Sequence, residues 1–285
     1  MYQILITGPD TFIGRNLILA LRAIQSGKDR IHRVEAVGNP AEIELVTCDQ
    51  SVPLEELEEH CRRADFVFHL AEVTKAKDMD DFMAKNFKFT ERLEDALCRL
   101  KNPCPVVFAS SYHATLLGRY ARSPYGEVKQ AEELLLNTVG KLTNVHTVIF
   151  RFPDLFGRLC PPGDAAVVPA LCRSIAEDLP IPEAVRKLEL ELVYMEDVVE
   201  TLLDVLNGLE RRCRFDELAV VPDPAGKFCY VPRSYRLTAG DVIDLLERFK
   251  KLSGQALESV LAPGSFTHRL YLTYLSYARL GTAQR

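Results

Sequence analysis

Residues 3–14 read Gln3-Ile4-Leu5-Ile6-Thr7-Gly8-Pro9-Asp10-Thr11-Phe12-Ile13-Gly14, and this stretch decides the fold. Gln3 to Thr7 is a short apolar run that stops at Gly8, as a buried strand does. Arg15 to Ser26 carries Leu and Ile at helical spacing and ends at Gly27, a helix-terminating residue. Strand, glycine turn and helix in that order open a dinucleotide-binding βαβ unit. Gly8 permits the tight turn and Gly14 close packing of helix on strand. Backbone N–H groups at the helix start then face a pyrophosphate. Thr11 stands where a middle glycine is expected, so a side chain there threatens to crowd the cofactor.

The alternation continues outward from this unit. Strands are predicted at Val34–Val37, Glu44–Cys48, Asp65–Ala71, Pro105–Ala109 and Val145–Phe150. Helices are predicted at Leu54–Arg63, Asp78–Leu100 and from Tyr125 to about Val139, before Gly140. Six strands alternating with helices imply an α/β fold, a doubly wound parallel sheet covered on both faces. The end of the strand at Val34–Val37 bears on the cofactor, because an acid there holds a ribose hydroxyl and a base accepts a 2′-phosphate. Gly38-Asn39-Pro40 follow it, neither acidic nor basic, and with Arg15 near the turn this favours NADP(H) over NAD(H). His69, inside an apolar strand, reads as a packed core histidine. After Arg151 the rhythm loosens. Pro161-Pro162-Gly163 mark a break, followed by a helix near Ala165–Glu177, a strand at Leu188–Val193 and a helix at Glu196–Leu206. Pro222, Pro224 and Gly226 mark a loop, and Thr238 with Asp241 opens a last helix to Lys251 in the manner of a capping box.

Chemistry is read from Pro124-Tyr125-Gly126-Glu127-Val128-Lys129. Tyr125 and Lys129, four apart near a helix start, share a face. An ammonium beside a phenol stabilises the phenolate and makes the tyrosine a proton donor or acceptor, as carbonyl–alcohol interconversion requires. Ser110-Ser111 end the strand before this helix, at the sheet edge where open α/β folds place their sites.

Composition narrows the classes. The 285 residues carry a net charge of −5 and no basic tract, which argues against nucleic-acid or membrane-surface partners. The eight Cys (48, 61, 98, 104, 160, 172, 213, 229) show no CxxC spacing, and the six His no ligand pattern, so no metal site is expected. No basic leader with an apolar core and no membrane-length run is present in these residues, so a cytoplasmic protein with reduced thiols is expected.

Thr7-Gly8 to Gly14, His69-Leu70-Ala71, Asn86, Ser110-Ser111, Tyr125-xxx-Lys129, Arg151-Phe-Pro-Asp154-Leu-Phe-Gly157 and Val193-Tyr-Met-Glu-Asp197 together resemble the extended short-chain dehydrogenase/reductase family, also called the NAD-dependent epimerase/dehydratase family. The stretches RFPDLFGRLCPP, LVYMEDVVE and LTAGDVIDLLERFKKL…LYLTYLSYA are similar to one group within it. That group is the N-terminal reductase part of bifunctional capsular-polysaccharide enzymes of UDP-N-acetyl-L-fucosamine synthesis. The resemblance implies a Rossmann-like domain over residues 1–157, joined by return segments near 188–222. Residues 158–285 would form a smaller α+β lobe that binds mainly substrate.

It also implies roles. Tyr125 would protonate the reduced carbonyl oxygen, Ser111 would hydrogen-bond it, and Lys129 would hold the nicotinamide ribose. Gly8, Thr11, Phe12, Ile13, Gly14 and Arg15 would line the diphosphate, with Leu70, Ala71, Asn86 and Phe152 along the cofactor. His113, Asp154, Arg158 and Arg186 would join Ser111 on the substrate. Three residues depart from the pattern: Thr11, Glu72 in place of a small residue, and Asp154 in place of Asn. A carboxylate at Glu72 suits a cofactor diphosphate only if it points away.

The implied activity is NAD(P)H-dependent reduction of a nucleotide-linked 4-keto-6-deoxy sugar for surface polysaccharide, with a UDP-linked substrate favoured. Two alternatives stand beside it: a nucleotide-sugar C4 epimerase with tightly held NAD, and a non-catalytic dinucleotide-binding regulator. Tyr112-His113 after the Ser pair replace the acidic pair of sugar-nucleotide dehydratases, which argues against dehydration. Homodimers are common in the family. The cupin domain of the bifunctional enzymes is not among these residues, so a separate epimerase partner is a further expectation.

Overall fold

The computed structural model of the chain describes residues 1–29, 31–161, 166–252 and 261–283. The chain divides into two compact units, one of Met1–Phe152 with Val199–Tyr230, the other of Pro153–Val198 with Val231–Arg285.

The first unit begins with β1 (Tyr2–Thr7), α1 (Phe12–Gln25), β2 (Ile43–Cys48), α2 (Leu54–Arg63) and β3 (Phe66–His69). A short helix α3 (Met79–Phe82) runs through a π-helical turn (Met83–Phe87) into α4 (Lys88–Leu100), where one continuous helix was expected. Then come β4 (Val106–Ser111), α5 (Pro124–Thr143) and β5 (Thr147–Phe152).

Between the two parts of this unit the chain forms β6 (Asp154–Phe156), α6 (Val167–Ala176), the single turn α7 (Glu183–Arg186) and β7 (Glu189–Tyr194), and α8 (Met195–Leu206) begins in the second unit and ends in the first. It then adds β8 (Arg212–Asp216), β9 (Ala219–Pro222) and β10 (Phe228–Cys229) to the first unit's sheet. The chain closes with β11 (Tyr235–Thr238), α9 (Ala239–Lys251) and α10 (Phe266–Ala283).

The main sheet has the order β2-β1-β3-β4-β5-β10-β8-β9. Its strands from β2 to β10 are parallel, and β8 and β9 follow as an antiparallel ribbon. Ile4, Leu5, Ile6, Val67, Phe68, Val106, Val107 and Phe108 are buried, as strands covered on both faces must be. The chain leaves β1 to one side for β2 and returns to the other for β3. This reversal opens a crevice at the carboxyl ends of β1 and β3, where such sheets bind ligands.

The strand predicted at Val34–Val37 does not form. The Val37 amide closes a turn onto Val34 O at 3.0 Å, and Asn207 holds both flanks, from Glu35 N and to Arg33 O. The edge of β1 is already taken, because Tyr2 to Thr7 pair one for one with Ile43 to Cys48. The sixth parallel strand is β10, a two-residue strand too short to read as a periodic run.

In the second unit β7 lies between β11 and β6. Thr238 and Asp241 form the expected capping box at the start of α9. Asp197, buried at the start of α8, receives two hydrogen bonds from Arg269 and one from Arg233 at 3.2 Å. Pro162, Gly163 and Ala165, which the sequence places at a break and a helix start, lie outside the described residues.

All eight cysteines are free thiols. Among the described residues no helix is long and apolar enough to cross a membrane, and no group of three or more His, Cys, Asp or Glu is placed to hold a metal.

Candidate active site

The turn after β1 is built on absent side chains. Gly8 has φ +69°, and a Cβ there would lie 2.5 Å from Ala71 Cα. A Cβ on Gly14 would lie 2.2 Å from Gly8 O. Thr11 is the N-cap of α1: its hydroxyl donates to Gly8 O at 2.8 Å and accepts from Gly14 N at 3.1 Å. The side chain that threatened to crowd a cofactor is folded into the turn. Capping uses the Gly14 amide, so Phe12 and Ile13 are the first-turn N–H groups left to meet an anion. These residues fit a dinucleotide. Arg15 is turned outward to Asp10, with bonds to Asp10 O at 3.0 Å and Asp10 Oδ1 at 3.3 Å.

The strand that neighbours β1 ends at Cys48, whose carbonyl accepts from Gly8 N at 2.9 Å. Asp49 follows. Its Oδ1 accepts from the Ser51 hydroxyl and amide, and these bonds hold its carboxyl below the usual range, so it is ionised. The neutral Gly38-Asn39-Pro40, from which NADP(H) was favoured, lie in the loop before β2 and not at a strand end. The strand end carries an acid.

The end of β3 is pinned from two sides. Thr7 Oγ1 accepts from the Leu70 and Ala71 amides at 3.2 Å each. Asn86, buried in the π-helical turn, accepts from Val73 N at 2.7 Å and donates to Val73 O at 3.1 Å and Phe82 O at 3.3 Å. Asn86, expected beside the cofactor, here latches the segment that carries Glu72. That carboxylate points to the tyrosine: the Tyr125 hydroxyl donates to Glu72 Oε2 at 2.6 Å.

Helix α5 starts with Ser123 as N-cap and Pro124 in the first turn. Gly126 permits the approach of the preceding loop, since a Cβ there would lie 2.2 Å from His113 O. Ser111, at the end of β4, accepts from His113 N at 3.3 Å and starts a 3₁₀ turn. The His113 ring bonds Ser123 Oγ through Nδ1 at 2.7 Å and meets the Tyr125 ring edge-on at 5.4 Å. Phe152, at the end of β5 and paired in register with Ser111, stacks on Phe150.

Lys129 is 1% exposed. Its Nζ donates to Ala109 O at 3.1 Å, lies 3.4 Å from Glu132 Oε2, and stands 4.6 Å from the Phe108 ring centre and 5.8 Å from that of Tyr125. Burial raises Glu132 above the usual carboxylate range, opposed by Lys129. Glu132 Oε1 accepts from Thr90, which also contacts His69 Nε2 at 2.8 Å, while His69 Nδ1 meets Thr7 at 2.8 Å. Burial, with the Lys129 charge, pushes His69 down to about 3, so the ring is neutral. A polar chain therefore runs from β1 through His69, Thr90 and Glu132 to Lys129. Sequence reading missed Glu132, although its i, i+3 spacing from Lys129 on one helix was a signal.

In the second unit Asp154 lies in β6 opposite Leu192 of β7. Arg158 is ion-paired with Glu196 at 2.8 Å and Arg186 with Asp244. Both arginines expected on the substrate thus already hold an acid.

The parallel sheet, the glycine turn at β1 and the Tyr125–Lys129 helix define a dinucleotide-dependent oxidoreductase architecture. Residues 4–212 match the NAD dependent epimerase/dehydratase family, and the chain belongs to it. It is 29% identical over 275 residues to a UDP-2-acetamido-2,6-beta-L-arabino-hexul-4-ose reductase of Pseudomonas aeruginosa, a match covering 96% of this chain and 64% of that protein. The crystal structure of the capsular polysaccharide assembling protein CapF from Staphylococcus aureus superposes with a TM-score of 0.71 at 28% identity, covering 96% of this chain and 65% of that one. The chain thus spans about two thirds of the length of both relatives. A Thermus thermophilus UDP-glucose 4-epimerase in complex with NAD shares the fold, at a TM-score of 0.69 and 18% identity over 96% of this chain and 98% of that one.

Proposed function

We propose that this chain reduces the 4-keto group of a nucleotide-linked, UDP-favoured 6-deoxy sugar for surface polysaccharide. The observation that carries the reading is Tyr125: its hydroxyl is held as a hydrogen-bond donor, with the Lys129 ammonium buried beneath its ring. A bound nicotinamide would supply the hydride. Tyr125 would give its proton to the carbonyl oxygen, and Ser111 and His113 would orient that oxygen from the adjoining turn. Gly8 and the Phe12 and Ile13 amides would hold the diphosphate, with Leu70 and Ala71 beside the cofactor. The nature of the Pseudomonas relative supports the substrate class.

For the cofactor, the ionised Asp49 favours NAD(H), since an acid at this strand end accepts ribose hydroxyls and repels a 2′-phosphate. This replaces the preference for NADP(H) that the sequence suggested. The same acid favours, as a second reading, a C4 epimerase that keeps its NAD bound.

The test is NADH oxidation with a UDP-linked 4-keto-6-deoxy sugar. Tyr125→Phe is expected to abolish turnover while calorimetric NADH binding stays nearly intact. Retained turnover overturns the assignment. NADPH binding tighter than NADH overturns the role of Asp49, and cofactor that survives dialysis of the purified protein favours the epimerase.

A further inference from the structure

Glu72 is the acid that the sequence reading set apart as standing in place of a small residue, and the structure gives it a partner. Its carboxylate accepts the Tyr125 hydroxyl hydrogen bond at 2.6 Å. The contact is not that of a loose surface acid. The backbone on its N-terminal side is tied to Thr7 through the Leu70 and Ala71 amides, and on its C-terminal side Val73 is tied to Asn86 through both amide and carbonyl. Asn86 is itself buried. The carboxylate is therefore delivered to the phenol by a segment fixed at both ends.

The other side of the phenol is closed. Lys129 is enclosed by Ala109 O, Glu132 and the Phe108 ring, and has almost no solvent exposure. The rings of Phe82, at 6.1 Å, and His113, at 5.4 Å, flank Tyr125. Glu72 and Tyr125 are both half-exposed. Of the ionisable groups around the phenol (Glu72 from the loop after β3, Lys129 and Glu132 from α5, His113 from the turn after β4), Glu72 combines a direct hydrogen bond to the hydroxyl with access to water.

We propose that Glu72 is the group through which Tyr125 regains its proton, and that it holds the tyrosine in its protonated form between turnovers. The inference rests on the reductase reading. The carbonyl carbon takes a hydride from a dihydronicotinamide, and the carbonyl oxygen takes the Tyr125 proton, leaving a phenolate. The phenolate then takes a proton from the Glu72 carboxyl, which has taken it from water. The sum is one hydride and one solvent proton per carbonyl reduced. Glu72 acts on Tyr125 in opposition to Lys129: a carboxylate in contact with the hydroxyl disfavours the phenolate that an ammonium favours. That bias suits an enzyme whose tyrosine donates a proton at the start of each cycle.

The first test needs no turnover. The phenolate absorbance of the purified protein is titrated with base for the wild type, Glu72→Gln and Tyr125→Phe. The transition missing in Tyr125→Phe belongs to Tyr125. It is expected about one pH unit or more lower in Glu72→Gln, because the opposing charge is gone and Lys129 remains. Superimposable curves overturn the coupling, whatever the substrate proves to be.

The second test uses NADH and a UDP-linked 4-keto-6-deoxy sugar. Glu72→Gln is expected to lower kcat by about tenfold or more, with KM little changed. Glu72→Asp is expected to recover part of the loss, and added formate to restore turnover in Glu72→Ala. A kcat and pH profile unchanged in Glu72→Gln overturns proton return through Glu72. Absence of wild-type turnover with an intact titration shift overturns the reductase reading instead.

Discussion

Glu132 and Glu133 are neighbours on α5 and both are buried, yet they hold their cations differently. Glu133 grips Arg151 with two bonds, at 2.8 and 2.6 Å, and also accepts from Ser110 at 2.5 Å. The Arg151 guanidinium lies 4.1 Å from the Phe228 ring centre. Charge, hydrogen bonds and packing are all satisfied, and this pair fastens α5 to β4 and β5. Glu132 meets Lys129 at 3.4 Å, and its Oε2 has no hydrogen bond among the described residues. The difference separates a pair that holds the fold from one kept loose beneath the Tyr125 ring. A planar fork fixes geometry, whereas an ammionium point charge tolerates displacement.

The sharpest way to break the comparison is to remove each cation. Arg151→Met leaves Glu133 buried without its fork, and about 3–5 kcal/mol of stability should be lost, measured by urea unfolding. A loss under about 1 kcal/mol would mean that the fork is not structural.

The far end of the Lys129 chain offers the next largest effect. His69 is neutral when folded, down at about 3, but titrates near its usual 6.5 when unfolded. Between these values the unfolded state binds the extra proton, so stability is full above about pH 6.5 and falls as pH drops towards 3. The slope approaches about 1.4 kcal/mol per pH unit in the middle of that window. His69→Gln should flatten it, and an unchanged slope would remove His69 from the acid response.

Lys129→Met should cost about 1–2 kcal/mol, less than the arginine variant, because Glu132 can take up a proton. With its folded value raised, Glu132 binds more protons folded than unfolded, so this cost should grow as pH rises from 5 to 8. A cost independent of pH would show that Glu132 does not titrate in response.

Thr11→Gly is the smallest change. Loss of the cap should cost a few tenths of a kcal/mol, with calorimetric NADH affinity unaltered. Tighter binding in the variant would mean that Thr11 does crowd the cofactor.

The parts of the fold legible in the sequence are those fixed by local signals. The glycine turn, the buried strands β1, β3, β4 and β5, and the Thr238 capping box all announce themselves within a few residues. Val34–Val37 misled because an apolar run says nothing of whether an edge is free to pair, and β2 already occupied that edge. The cofactor preference drawn from Gly38-Asn39-Pro40 lost its strand end with it, and Asp49 has meaning only once β2 is placed.

At the site, the spacing of Tyr125 and Lys129 was visible. The use of Glu72, 53 residues away in sequence, was not, because only the paired strands bring its loop to the phenol. Thr11 was visible as a departure, but its bonding was not: its hydroxyl has two partners inside the turn, and such local bonds are invisible to a glycine pattern.

The return of the chain to its first sheet has a consequence during synthesis. Strand β5 ends at Phe152, while β10, its outer neighbour, begins at Phe228. At the ribosome's pace of about 5–20 residues per second, that interval lasts roughly 4–15 s. For that time the nascent sheet presents β5 as an open edge, the feature that invites pairing with other chains. The short β10 and the antiparallel ribbon behind it are thus the last guard of the sheet to arrive. A chain stalled or cut before residue 228 should aggregate rather than accumulate as a soluble nucleotide-binding half.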